Sequence, residues 1–182
     1  MLDIHSHILP KMDDGSSSVE ESLNLLRTSA EQGITEIAAT PHFYASQYSP
    51  QKFLERRAAC AARLQEALTP DLPRVYLGAE VCYFDGVSRI DELEALWIQN
   101  TNILLLEMPF GVWNSQQIKE VEYLIKERKF QIIIAHLDRF LLIPGNKKWI
   151  KELLELPVSI QINADAFDSW MHTRNLVKLF KE

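Results

Sequence analysis

Short apolar runs alternate along this chain with longer segments in which apolar residues recur every three or four positions. The short runs predict strands and the longer segments predict helices. The predicted strands cover residues 1–4, 34–40, 75–79, 103–106, 132–135 and 158–162. These runs do not alternate apolar with polar positions, which is typical of strands buried on both faces of a parallel sheet.

Helices are predicted between and after these strands, at residues 19–32, 51–68, 89–98, 115–128, 147–154 and 168–180. Ser18-Val19-Glu20-Glu21 reads as a capping box at the start of the first helix, and Gly33 follows its end. Repeated strand–helix alternation predicts an α/β fold, in a single domain over residues 1–182. The six predicted strands are fewer than the seven or eight of a usual closed barrel.

Five of the predicted strands run into residues that can bind a metal ion. These residues are His5, His7, His42, Glu80, Glu107 and His136. Parallel strands closed into a barrel bring their C-terminal ends to one face, so we expect these side chains to meet there. Imidazoles with carboxylates and no thiolate suit Mn, Fe or Zn without distinguishing them. The pattern predicts a multi-metal hydrolytic centre.

Candidate residues of this kind also have ordinary structural explanations when each is taken alone. Asp13 and Asp14 suit a turn before a helix, and His42 alone suits a polar loop position. Arg139 follows His136 by three positions; it could grip phosphate oxygens or form a surface salt bridge. His172 is interpreted as a solvated histidine on the last helix. The metal hypothesis depends on the set of residues together.

Composition and charge narrow the class of protein. The chain has 182 residues, of which 47% are hydrophobic and 24% charged, as in a soluble globular domain. No apolar stretch reaches the roughly 18–20 residues that span a bilayer, and the N-terminus does not resemble a secretory signal. A cytoplasmic location is therefore expected. A net charge of −6 argues against non-specific nucleic-acid binding.

The two cysteines do not indicate a cysteine phosphatase. Such an enzyme needs a Cys followed by an Arg at the spacing C-x5-R. Glu66 stands there after Cys60, and Ser88 stands there after Cys82. Both cysteines are expected to be buried packing residues.

Longer motifs resemble one bacterial family. They are HSHILP at 5–10, DDG at 13–15, EES at 20–22, ATPH at 39–42, GAEV at 78–81, LLEMP at 105–109 and AHLDRF at 135–140. This set resembles the PHP (polymerase and histidinol phosphatase) superfamily. It is most similar to the bacterial capsular-polysaccharide-biosynthesis tyrosine phosphatases of the CpsB/CapC/YwqE type.

The resemblance implies a distorted TIM-like (β/α)7 barrel that binds up to three metal ions, usually Mn²⁺. By motif position it implies that the ligands are His5, His7, Asp14, His42, Glu80, Glu107 and His136. Arg139 matches an arginine that would hold phosphate. The substrates it implies are phosphotyrosines on the tail of a bacterial tyrosine kinase that regulates capsule or exopolysaccharide export.

The chain departs from the family pattern in two places. Lys11 stands where the family commonly has Gly. The family also continues past the position of Glu182 with a strand and an S-D-x-H-N-like motif, so the resemblance implies that the C-terminal strand and two ligands are missing here. Two alternatives stay open: a PHP phosphatase of a small metabolite such as histidinol phosphate, or an inactive truncated remnant that binds phosphopeptides.

Overall fold

A computed structural model of the chain describes residues 1–168, 173–174 and 176–177. These residues form two compact units. The first contains residues 1–82 and 91–105, and the second contains residues 83–90 and those from 106 onward. The single domain expected over residues 1–182 stays a prediction.

The first unit is built on parallel strands. Three of them, β1 (Leu2–Ser6), β2 (Glu36–Ala39) and β4 (Arg74–Leu77), form a sheet in the order β1-β2-β4. Two shorter strands, β3 (His42–Phe43) and β5 (Glu80–Cys82), also pair in parallel. Their register places His42 opposite Glu80. Two of the candidate metal ligands are therefore neighbours across a strand pair.

Two helices complete the first unit, α1 (Val19–Glu31) and α2 (Pro50–Gln65). The Ser18 side chain caps α1 by accepting from the Glu21 N–H, as predicted. The Glu21 carboxylate accepts from the Ser17 N–H rather than from that of Ser18, so only half of the expected capping box forms.

The buried face of α2 differs in part from the stripe that apolar spacing predicts for this helix, which consists of Leu54, Ala58, Ala61, Leu64 and Leu68. Phe53, Cys60 and Leu64 are buried, whereas Ala58, expected inside, is exposed. The Phe53 ring packs edge-on against Phe43 at 5.2 Å between centroids. The larger aromatic ring thus sets which face of the helix turns inward.

The second unit also contains parallel strands. Strand β6 (Ile103–Glu107) begins in the first unit and ends in the second, and β7 (Gln131–Ile134) pairs in parallel with β8 (Ser159–Ile160). The Ala135 N–H donates to the Leu106 carbonyl at 2.9 Å, which fixes the end of β7 beside the end of β6. The helices are α3 (Ser115–Lys126), α4 (Asp138–Leu141) and α5 (Asn146–Leu154).

The helix predicted at 89–98 is replaced by two short 3₁₀ helices, Val87–Arg89 and Asp91–Leu96. Side chains hold the backbone before and between them. The buried Glu120 carboxylate accepts from the N–H groups of Gly86 and Ser88, and the Arg128 guanidinium donates to the carbonyls of Ser88 and Ile90. Ile90, between the two 3₁₀ helices, has an extended backbone with φ −72° and ψ 127°, which interrupts any continuous α-helix.

The last helix predicted, at 168–180, and the prediction for His172 fall on residues of which most lie outside the described part of the chain. Within the described part, no helix has both the length and the apolar character needed to cross a membrane.

Candidate metal centre

The N-terminal strand brings two imidazoles together. His5 lies in β1 and His7 just beyond it, and their Nε2 atoms are 3.2 Å apart. The loop that follows packs directly on this strand end. A Cβ added to Gly15 would lie 2.2 Å from the His7 carbonyl oxygen, and the Ser16 N–H donates to that oxygen at 3.0 Å. Gly15 is therefore needed for the loop to reach His7 without displacing it.

Glu80 lies at the centre of this group. Its side chain is fully buried, and its Oε2 atom is 3.0 Å from His5 Nε2 and 3.2 Å from His7 Nε2. The same oxygen is 3.1 Å from Nδ1 of His42. Burial of a carboxylate is costly unless positive charge or hydrogen-bond donors offset it. Three imidazole nitrogens around one buried oxygen form a ready site for a cation.

Asp13 supports this group from behind. Its Oδ2 atom lies 2.6 Å from His7 Nδ1 and accepts the His42 backbone N–H at 3.0 Å. Its other oxygen accepts the Gly15 N–H at 3.2 Å. A carboxylate on one ring nitrogen fixes an imidazole's orientation and leaves the other nitrogen to face a metal. Asp13 is thus placed to position His7 rather than to bind an ion itself.

The charge balance of the group favours a cation. Burial lowers the pKa of His7, but its hydrogen bonds to the Asp13 and Glu80 carboxylates, and their charges, outweigh burial and raise that pKa to about 10. Burial raises the pKa of Asp13, yet hydrogen bonds to His7 and from the His42 backbone outweigh it and leave that pKa below its ordinary value. Negative charge is in excess here, and a metal ion would relieve it in place of the proton.

The donor atoms fit a divalent ion in number and type. Ligand atoms of His5, His7 and Glu80 lie within 4.8 Å of one another, and so do those of His7, Asp14 and His42. Asp14 differs from the others because its side chain is 82% exposed, with Oδ1 3.8 Å from His42 Nε2. Imidazole and carboxylate donors suit Mn, Fe and Zn.

The second unit contributes a separate pair. Glu107 at the end of β6 and His136 after β7 are both buried, with 3.3 Å between Oε1 and Nε2. His136 has a φ of +31°, which is unusual for a residue with a side chain. Gln161 holds it there, since its Oε1 accepts the His136 N–H at 2.7 Å and its carbonyl accepts the Leu137 N–H at 3.0 Å. That Glu107 and His136 share a centre with the residues of the first unit stays a prediction.

Arg139 lies three residues after His136, in the short helix α4, and its side chain is exposed. Among the described residues, its guanidinium has no hydrogen-bond or ion-pair partner. The surface salt bridge considered as an alternative is therefore not formed within that part of the chain. An exposed guanidinium without a partner in the described part of the chain, three residues after His136, is suited to an anionic ligand.

Several features of the site were not predicted from the sequence. The sequence suggested a loop at His42, but this residue lies in strand β3. Burial is confirmed for Cys60 and wrong for Cys82, which is half-buried with Sγ 3.7 Å from His42 Nδ1. Its spacing of two residues from Glu80 at a strand end was the available signal, because such residues share a face.

Replacing Asp13 with asparagine should weaken Mn²⁺ binding by about 10–100-fold, as is usual when a carboxylate behind a ligating histidine is lost. The amide keeps the shape of the side chain but not the charge that orients and polarises His7. Calorimetric titration of Mn²⁺ into metal-free protein measures the effect. The exposed Asp91→Asn variant is the matched control, and equal affinities for the two variants would contradict the role assigned to Asp13.

Comparison with known proteins shows the family of this chain. A sequence profile of the family described as "Capsular polysaccharide synthesis, CpsB/CapC" matches residues 1–180. The chain is 30% identical over 167 residues to tyrosine-protein phosphatase CpsB of Streptococcus pneumoniae, covering 90% of this chain and 68% of that protein. It is 30% identical over 166 residues to tyrosine-protein phosphatase YwqE of Bacillus subtilis (strain 168), covering 90% and 65%.

A solved structure is similar throughout. It comes from a study of YwqE from B. subtilis and CpsB from S. pneumoniae, described as unique metal-dependent tyrosine phosphatases. It aligns with a TM-score of 0.77 and 25% identity, covering 100% of this chain and 74% of that one. This match confirms the predicted α/β fold with parallel sheets. The chain spans about two thirds of the length of the two curated relatives, 68% and 65%. With its profile matched over residues 1–180, the chain belongs to the CpsB/CapC family of capsular polysaccharide synthesis proteins.

Proposed function

We propose that this chain is a metal-dependent phosphatase that hydrolyses phosphotyrosine on the tail of a bacterial tyrosine kinase controlling capsule or exopolysaccharide synthesis. The observation that carries the proposal is the approach of His5, His7 and His42 to one oxygen of the buried Glu80. The relatives named as tyrosine-protein phosphatases support it, and so does the similar structure described as a metal-dependent tyrosine phosphatase.

The proposed cofactor is Mn²⁺, with up to three ions bound. The proposed ligands are His5, His7, Asp14, His42, Glu80, Glu107 and His136. The first five belong to the unit built on β1 to β5, and the last two form the buried pair at the ends of β6 and β7. Fe or Zn would suit the same donors.

In this proposal the chain's own residues bind and orient the phosphate while water attacks phosphorus. A divalent ion supplies Lewis acidity, lowering the pKa of water toward neutrality and offsetting charge on phosphoryl oxygens. Asp13 holds His7 in a fixed orientation, and Arg139 binds the oxygens that stay on phosphorus. Tyrosine leaves as a phenolate with a pKa of about 10, so it needs little protonation. No protein nucleophile takes part, in agreement with the buried Cys60 and the missing C-x5-R spacing.

The finer details of fold and location are also proposals. We propose that the parallel strands belong to a distorted (β/α)7 barrel, which the resemblance of the chain's motifs implies. We propose a cytoplasmic location as well, as expected from the sequence.

A pair of matched peptides tests the function. With Mn²⁺ present, a phosphotyrosine peptide should be hydrolysed at least about 100-fold faster than the same peptide carrying phosphoserine, because a phenolate leaves more readily than an alkoxide. Phosphate release measures both rates. Equal or faster turnover of a small alkyl phosphate would favour the metabolite phosphatase instead. Tight binding of the phosphotyrosine peptide without phosphate release would favour the inactive remnant.

A further inference from the structure

An exposed aromatic ring is connected to the Glu107–His136 pair through one buried ring. Phe110 follows Glu107 by three residues and is 67% exposed. Its ring centroid is 5.2 Å from that of the buried Phe140, which in turn is 6.0 Å from the His136 ring. A row of three rings therefore runs from a proposed metal ligand to the surface of the second unit.

The loop that carries Phe110 is held by hydrogen bonds on both sides of the residue. The fully buried Asn146 accepts the Trp113 N–H at 2.8 Å and donates to the Gly111 carbonyl at 2.9 Å. The Trp113 indole N–H donates to the Pro109 carbonyl at 2.9 Å. A backbone fixed in this way holds the attachment point of the Phe110 ring in place before any ligand arrives, which lowers the entropic cost of binding.

A cation adjoins one of these rings in the sequence. Arg139 directly precedes Phe140 in the chain, and its exposed guanidinium has no partner among the described residues. The second unit therefore presents both a positive group, suited to a phosphate, and an exposed aromatic face, suited to an apolar ring. A phosphate ester bonded directly to an aromatic ring carries both features in one small group.

We propose that Phe110, supported from behind by Phe140, is the platform on which the tyrosyl ring of the substrate packs while Arg139 binds its phosphate. This inference rests on the proposed phosphotyrosine phosphatase function and adds a residue that selects aryl over alkyl phosphates. Stacked or edge-to-face aromatic pairs form at centroid distances of about 4.5–7 Å, and the exposed face of Phe110 is open to such a contact.

Binding of two non-hydrolysable phosphonates tests the inference without relying on turnover. Calorimetry on the full chain loaded with Mn²⁺ should show phenylphosphonate binding about tenfold more tightly than methylphosphonate. Phe110→Ala should bring this preference to about twofold or less, whereas Phe110→Trp should keep it. Tyr123→Ala removes another exposed aromatic ring, on α3, and should leave the preference unchanged.

The outcomes separate the inference from the function on which it rests. A phenyl preference that is absent from the unaltered chain, or that survives in Phe110→Ala, overturns the role of Phe110 and leaves the phosphatase proposal standing. Failure of the unaltered, Mn²⁺-loaded chain to bind either phosphonate rejects the phosphate site, and with it both the proposed function and the inference.

Discussion

Replacing Glu80 with glutamine is expected to lower kcat/KM toward a phosphotyrosine peptide by about a thousandfold. The Glu80 Oε2 atom lies within 3.2 Å of a nitrogen from each of His5, His7 and His42. Glutamine removes the negative charge that a cation at this position would balance and replaces a ligand oxygen with a weaker donor. Metal ions contribute several kcal/mol to such reactions, and each 1.4 kcal/mol corresponds to a factor of about ten.

Two measurements make the Glu80 result specific. The metal content of the purified protein, determined by elemental mass spectrometry, should fall together with kcat/KM. The Glu66→Gln variant serves as the matched control, because Glu66 is an exposed glutamate at the end of α2 in the same unit. Full activity in Glu80→Gln would contradict the role given to this carboxylate. So would a variant that keeps its full metal content and loses activity only because it unfolds.

Chelation is expected to reduce turnover of the phosphotyrosine peptide to the rate measured in buffer without protein. The candidate ligands are imidazoles and carboxylates, and the proposed chemistry uses no covalent step on the protein, so no residual route remains once the metal is removed. Phosphate release should be measured after dialysis against EDTA and again after Mn²⁺ is added in excess. Addition of Fe²⁺ or Zn²⁺ in parallel samples ranks the three metals that the donor set allows.

The chelation result needs a control for other effects of the chelator. EDTA saturated with Mn²⁺ before it is added should leave turnover unchanged. If phosphate release continued in protein shown by elemental analysis to hold less than a tenth of an ion per chain, the metal-dependent mechanism would be rejected.

The strand ends could be predicted because they follow a general rule. His5 and His7 at β1, Glu107 at β6 and His136 after β7 all lie within a residue or two of a strand end, as the apolar runs indicated. Runs that are apolar at every position are typical of parallel strands buried on both faces. Each run ends where the first polar residue appears.

The path of the first loop could not be predicted from its residue types. Asp13 and Asp14 are adjacent and chemically alike, yet Asp13 turns inward to His7 and His42 while Asp14 is exposed. The close contact of Gly15 with His7 determines this path, and it is a tertiary contact that no local pattern reveals. Lys11 in the same loop has a φ of +59°, a conformation that favours glycine, so its residue type did not indicate this turn.

The third predicted strand shows a second limit. The apolar run at 75–79 suggested one strand, but β4 ends at Leu77 and β5 begins at Glu80. Gly78 lies so close to Thr40 that an added Cβ would be 3.1 Å from its Cγ2 atom. The chain therefore leaves one sheet and pairs with β3, a strand of two residues that is too short for any sequence pattern to predict.

Anomalous diffraction at the manganese absorption edge, from crystals grown with Mn²⁺, tests the central claim most directly. The account predicts a peak about 2.2 Å from His5 Nε2, His7 Nε2 and an oxygen of Glu80, with a further peak in contact with Glu107 and His136. Peaks confined to exposed carboxylates, with none at Glu80, would contradict it.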